Sequence, residues 1–191
     1  KKVILGSDES DSLVIHETGP KGVRIKIHIK QLSRAKDVLY GDVEDLDSAQ
    51  LEPELWRYLA EMIQSSELEY EGVVILHGIG TIAYTASALS FMLKNLAFPV
   101  ILTAAQLPLN YARTDAVQNI VTSIALAASR SVGLKSAITE VAVFSLSALL
   151  RGNRSTVINS SSFRFLESPT YPPLAIAGER LDVKTQFLRK S

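Results

Sequence analysis

The stretch from Gly72 to Asn119 constrains the fold of this chain more than any other. It reads GVVILHGIGTIAYTASALSFMLKNLAFPVILTAAQLPLNYARTDAVQN. An apolar run, Val73 to Leu76, breaks at the small turn His77-Gly78-Ile79-Gly80. Ile82, Ala86, Leu89, Leu93 and Leu96 then recur at helical spacing, Val100 to Leu102 form a second apolar run, and a loop leads into another helical pattern. Strand, turn, helix, strand, loop and helix in that order predict a parallel sheet with crossover helices. Strands without polar alternation fit a sheet covered on both faces. The fold class expected is therefore α/β, doubly wound and mostly parallel. In such sheets ligands sit beyond the carboxyl ends of the strands. That places any chemistry at His77–Thr81 and Thr103–Asp115.

The flanking sequence extends this pattern. Lys1 to Leu5 reads as a short buried strand. Leu13 to Ile15 and Val23 to Ile29, joined through Thr18-Gly19-Pro20-Lys21-Gly22, read as a hairpin. The second arm alternates Val23, Ile25, Ile27 and Ile29 with Arg24, Lys26, His28 and Lys30, the pattern of a half-buried strand. Val38 to Tyr40 reads as a further short strand. Pro53 suits the first turn of a helix, whose apolar stripe is Leu55, Trp56, Leu59, Met62 and Ile63. Thr114 can cap a helix carrying Val117, Ile120, Val121, Ile124 and Ala128. Glu140 to Leu146 is a further expected strand. From Arg151 onward the chain reads as loop, ending in a basic tail that either frays or docks.

Several blocks carry a resemblance. They are His77-Gly78; Thr81 with AYTASALSFMLKNL; PVILT; Ala105-Gln106-Leu107-Pro108; and Arg113-Thr114-Asp115 with Asn119. Asp47-Ser48 followed by Pro53-Glu54-Leu55-Trp56, and Arg151-Gly152-Asn153-Arg154-Ser155-Thr156 followed by Glu167-Ser168-Pro169, belong to the same set. Taken in chain order, from Tyr40 to Lys184, they resemble the amino-terminal domain of L-asparaginases, the bacterial type I form above all. The resemblance implies a flavodoxin-like sheet with helices on both faces. It also implies a single such domain over residues 1–184, a basic tail over 185–191, and no counterpart of the family's carboxyl-terminal domain.

The chain departs from the family where the family does its chemistry. Active members follow strand one with Thr-Gly-Gly-Thr-Ile-Ala, whose second threonine is the nucleophile. Here Ser7-Asp8-Glu9-Ser10 stands there, with Ser10 at the nucleophile position and the glycines gone. The family's His-Gly-Thr-Asp-Thr becomes His77-Gly78-Ile79-Gly80-Thr81, so Ile79 and Gly80 replace the pair that activates water and holds the substrate amine. The family's catalytic lysine position is Val157. Ser48 falls where members hold the substrate carboxylate.

A serine nucleophile needs a base to take its proton. Val157 cannot serve, and Asp8, Glu9 and Asp11 would raise one another's pKa and repel a substrate carboxylate. No catalytic residue is expected, Ser10, Ile79, Gly80 and Val157 being relic positions and Ser48 a relic of substrate binding. The function expected is that of a catalytically degenerate relative acting as a structural or interaction subunit of a larger assembly. The alternative is an amidohydrolase releasing ammonia from asparagine, with Ser10 as nucleophile and Ser48 on the carboxylate.

Composition narrows the partners. Twenty acidic and twenty basic residues cancel, which gives no global pull toward nucleic acid or membrane. The absence of cysteine removes disulfides and thiolate metal sites and fits a reducing compartment inside the cell, cytoplasm or mitochondrion. His16, His28 and His77 are too scattered for a metal site, and Gly78-Ile79-Gly80-Thr81 lacks the spacing of a phosphate loop. No cofactor is expected. No run approaches the ~20 apolar residues of a membrane span. Other protein subunits are the expected partners, with a possible acidic or RNA surface near Arg24, Lys26 and Lys30.

Overall fold

The structure is a computed structural model that describes residues 4–6, 12–15, 25–30, 52–66, 70, 72–129 and 136–189. Its strands are β1 (Ile4–Gly6), β2 (Ser12–Ile15), β3 (Ile25–Lys30), β4 (Val73–Leu76), β5 (Val100–Thr103), β6 (Val141–Ser145), β7 (Ala148–Arg151), β8 (Thr156–Val157), β9 (Leu166–Glu167), β10 (Ala175–Ala177) and β11 (Leu181–Val183). The helices are α1 (Pro53–Ser66), α2 (Ile82–Met92) and α3 (Ala116–Ala127). Among the described residues one sheet runs β11-β10-β7-β6-β5-β4-β1-β3-β2, and β8 pairs with β9 separately.

Five neighbouring strands, β3-β1-β4-β5-β6, are mutually parallel. Numbered by appearance, that is the 2-1-3-4-5 order of a flavodoxin-like sheet, whose switch point lies between the first and third parallel strands. Here those strands are β1 and β4. The expected hairpin is present as β2 antiparallel to β3, with Leu13 opposite Ile27 and Ile15 opposite Ile25. Arg24 and Val38 to Tyr40 lie outside the described residues.

The absence of polar alternation in β4, β5 and β6 has a direct structural counterpart. Val73, Ile75, Val100, Leu102, Val141 and Val143 join one core with Leu59, Ile63, Ile82, Ala86 and Leu89 of α1 and α2. Val74, Ile101, Ala142 and Phe144 join a second core with Ile120, Ile124 and Leu126 of α3. Side chains alternate across a strand, so a strand buried on both faces must be apolar at every position. Each fully buried aliphatic side chain contributes ~1.5–3 kcal/mol.

Some helix positions differ from the periodic reading. Met62 and Val117 are exposed, and α2 stops at Met92, so Leu93 and Leu96 reach the core from the loop that follows. Beyond Arg151 the chain is more ordered than its composition suggests. β10 pairs antiparallel with both β7 and β11, which extends the sheet by an antiparallel edge. The tail docks on its own chain: Phe187 and Leu188 pack against the α3-side core.

Candidate functional site

The switch point is bounded by the carboxyl ends of β1 and β4. β4 delivers His77, whose backbone N–H donates to Thr103 O at 2.9 Å and so continues the ladder one residue past the strand. Its ring bonds on both sides. Nδ1 lies 2.7 Å from Gly78 O, and Nε2 lies 2.9 Å from Thr85 Oγ1. A carbonyl only accepts, so Nδ1 carries the proton, and the Thr85 hydroxyl donates to Nε2. Thr85 Oγ1 in turn accepts the Trp56 Nε1–H at 3.1 Å. The chain of donors therefore runs from Trp56 through Thr85 and His77 to the Gly78 carbonyl, with each group used once. Thr85 is fully buried on α2, where an unpaired hydroxyl would be costly. Burial pushes the His77 pKa below the usual imidazole range, against the opposing pull of the Gly78 carbonyl. His77 is thus a neutral, bonded strut rather than a free proton carrier.

Past this strut the chain turns through a single 3-10 turn, Ile79–Thr81, into α2. Ile79 is half-buried and packs against the core on the α1–α2 face, whereas Gly80 is exposed. Val157, on β8, pairs with Leu166 and packs against that same core. The side chains of Ile79 and Val157 are therefore taken up by apolar packing. Neither can donate, accept or move a proton. Ser10 and Ser48 lie outside the described residues.

At the end of β5 a second set of polar residues ties elements together. Asp115 precedes α3, but its carboxylate caps no backbone N–H of that helix and instead accepts the N–H groups of Gln106 (3.0 and 3.2 Å) and Leu107 (3.2 Å). The N-cap of α3 is Asp115, not the expected Thr114, and it makes no side-chain cap bond. Thr114, one residue earlier, accepts the Ala116 N–H at 3.1 Å while donating to Leu107 O at 2.8 Å, because its hydroxyl is drawn to the loop after β5. Buried Asn119 donates to Ala104 O and Asp115 Oδ2 and accepts the Leu146 N–H at 3.0 Å. Leu146 sits at φ 58°, a left-handed conformation that a leucine adopts only when its surroundings hold it there. Thr103 donates to Phe144 O at 2.9 Å, and Gln106 donates to Ser162 O at 2.9 Å. Arg113 lies over the Phe163 ring at 5.8 Å. These are positioning bonds that hold the loop after β5, the β6–β7 turn and the start of α3 in one arrangement.

Periodicity alone does not find the Trp56–Thr85–His77 chain or the Asn119 knot. The available signal is a polar residue embedded in an apolar helical stripe, as Thr85 and Asn119 are. Among the described residues no group of three or more histidine, aspartate or glutamate side chains could hold a metal ion. Among them, no helix is long and apolar enough to cross a membrane.

Comparisons with known proteins agree with this geometry. The family model described as Asparaginase, N-terminal matches residues 6–189. L-asparaginase 1 of Escherichia coli K12 is 44% identical over 133 residues, covering 70% of this chain and 38% of that protein. A glutamyl-tRNA(Gln) amidotransferase subunit of Methanopyrus kandleri is 41% identical over 93 residues, 48% of this chain and 20% of that one. Among solved structures, L-asparaginase I of Vibrio cholerae O1 biovar eltor superposes with a TM-score of 0.69 at 28% identity, covering 99% of this chain and 57% of that one. The chain thus spans 38% and 57% of the length of these two asparaginases.

Proposed function

Because the chain belongs to the asparaginase family, as a match to that family's amino-terminal domain, we propose that it is a catalytically silent member serving as a structural or interaction subunit of a larger assembly. The observation that carries this reading is the fate of Ile79 and Val157: both relic positions hold apolar side chains packed into one core. Proton transfer and oxyanion stabilisation each contribute orders of magnitude in rate, and neither side chain can supply them. The titratable ring two residues before Ile79, that of His77, has both nitrogens committed. Similarity to a protein named as one subunit of an amidotransferase supports a role within an assembly. Arg24, Lys26 and Lys30 supply a cationic segment suited to an acidic partner surface.

The test has two parts. Purified protein is assayed for ammonia release from asparagine and glutamine, and the native complex is sized, with its members identified by mass spectrometry. The expected outcome is no release above the buffer rate and recovery at fixed stoichiometry with other proteins. Turnover that Ser10→Ala abolishes would refute the proposal. That result would instead support the second reading, an amidohydrolase with Ser10 as nucleophile and Ser48 on the substrate carboxylate. The 44% identity to a protein named L-asparaginase 1 favours this second reading.

A further inference from the structure

A cleft of about 490 Å³ opens at the amino-terminal edge of the parallel strands, at the end of the sheet opposite His77. Its walls come from the last turn of α2 and the loop after it, the start of β6, the end of β7 with the turn that follows, and the tail. That volume lies in the range of small-molecule sites.

The charges in the cleft do not cancel. Glu140 is 3% exposed, and its carboxylate accepts Arg151 Nε at 2.6 Å, Arg151 Nη2 at 3.1 Å and the Arg189 backbone N–H at 2.9 Å. Arg151 also donates to Phe187 O at 2.8 Å and lies 4.2 Å over the Tyr171 ring. Glu140 and Arg151 therefore neutralise each other and form a rigid floor. Arg154 and Arg189 line the same cleft, are exposed, and have no ion-pair partner among the described residues. Two positive charges are left over. Two further groups in the lining are poorly satisfied: Phe91 is 67% exposed, and Asn153 has a side-chain oxygen buried without a hydrogen-bond partner.

We propose that this cleft binds a small organic dianion that also carries a planar apolar group. The two unpaired guanidinium groups match the charge of a phosphate monoester or a dicarboxylate, and Arg forks suit both oxyanions. The ring of Phe91 offers a face for the planar group. A hydroxyl or amine on the ligand would satisfy Asn153 once its side chain turns toward it. The site is separate from the switch point and does not depend on whether the protein turns over an amide.

Isothermal titration calorimetry at low salt tests the proposal with AMP and with phthalate, a phosphate monoester and a planar dicarboxylate. Adenosine and inorganic phosphate serve as controls. Saturable binding of AMP or phthalate supports the proposal and shows which oxyanion the site prefers, and inorganic phosphate should bind at least about tenfold more weakly. The double variant Arg154→Ala/Arg189→Ala should weaken binding by roughly a hundredfold, about tenfold for each lost charged contact. Its thermal midpoint should stay at the wild-type value, because both side chains are exposed and unpaired. Phe91→Ala should remove the advantage of AMP or phthalate over inorganic phosphate. No saturation by either ligand up to ~10 mM, adenosine binding as well as AMP, or binding that survives the double substitution would overturn it.

Discussion

Gly152 offers the most direct test of how tightly this fold is closed. It begins the turn after β7, and a Cβ built there would lie 2.7 Å from Ser90 Oγ, 3.0 Å from Ala86 O and 3.0 Å from Val141 O. Ser90 can rotate away only by giving up the 2.7 Å bond it donates to Ala86 O. The other two neighbours are backbone carbonyls of α2 and β6 and cannot move without disturbing those elements. Gly152→Ala therefore overpacks a rigid contact, at a cost of ~1–3 kcal/mol. The stiffer unfolded chain of the variant offsets ~0.4–1 kcal/mol of that. A net loss of about 1–2 kcal/mol corresponds to a fall in Tm of roughly 2–8 °C for a chain of this size. Gly178 is the matched control, because a Cβ there meets only Arg180 O at 4.0 Å. Gly178→Ala should leave stability unchanged or raise it by up to ~1 kcal/mol. Thermal and urea unfolding followed by far-ultraviolet circular dichroism read both variants. If Gly152→Ala proves as stable as the wild type, or the two variants shift alike, the close approach of α2 to the β7 turn is wrong.

Two other sites give further tests. Asn119→Ala leaves the buried Ala104 carbonyl and the part-buried Leu146 N–H unpartnered, and at ~1–3 kcal/mol for each orphan the loss should be about 2–6 kcal/mol, toward the lower end because Leu146 is partly open to water. A change in urea-derived stability below ~0.5 kcal/mol would rule out the knot, being within the usual range of an indifferent surface substitution. His77 titrates below its ordinary range in the folded state, since burial disfavours its charge. Above pH ~6.5 both states are neutral and this residue adds no pH dependence; as pH falls below that value the unfolded chain gains a proton that the folded chain does not, so stability drops until the folded pKa is reached. Urea unfolding at pH 7.5 and 5.5 should therefore show a smaller acid-induced loss for His77→Gln than for the wild type, and equal losses would contradict the assignment.

Local pattern carried the architecture a long way. Apolar runs at Val73–Leu76 and Val100–Leu102, with the helical stripes between them, were enough to predict a parallel sheet covered on both faces. Covering both faces demands apolar side chains at consecutive positions, and a sequence displays that directly. The hairpin of β2 and β3 was legible for a similar reason, because strict alternation has few other uses. Ile79, Gly80 and Val157 were singled out by comparing residue identities with the resembled family, and the structure adds that Ile79 and Val157 pack against the core.

Other features depend on long-range pairing that no local window contains. The short strand β10 gains its order from β7, distant in the chain, with Leu149 opposite Ala175, and β11 then folds back on β10, so their composition alone reads as loop. Thr85 and Asn119 looked like ordinary helix residues until Trp56, His77, Ala104 and Leu146 were brought against them. Glu140 and Arg151 became a buried pair only when β6 and β7 turned back on each other, and the basic tail found its place by giving Glu140 another donor. Residue identity thus set which surfaces had to be buried, since hydrophobic burial is non-directional and can be read from composition and period. Which polar groups met was left to tertiary closure, because a hydrogen bond requires a partner at a given distance and angle, and the fold alone supplies that geometry.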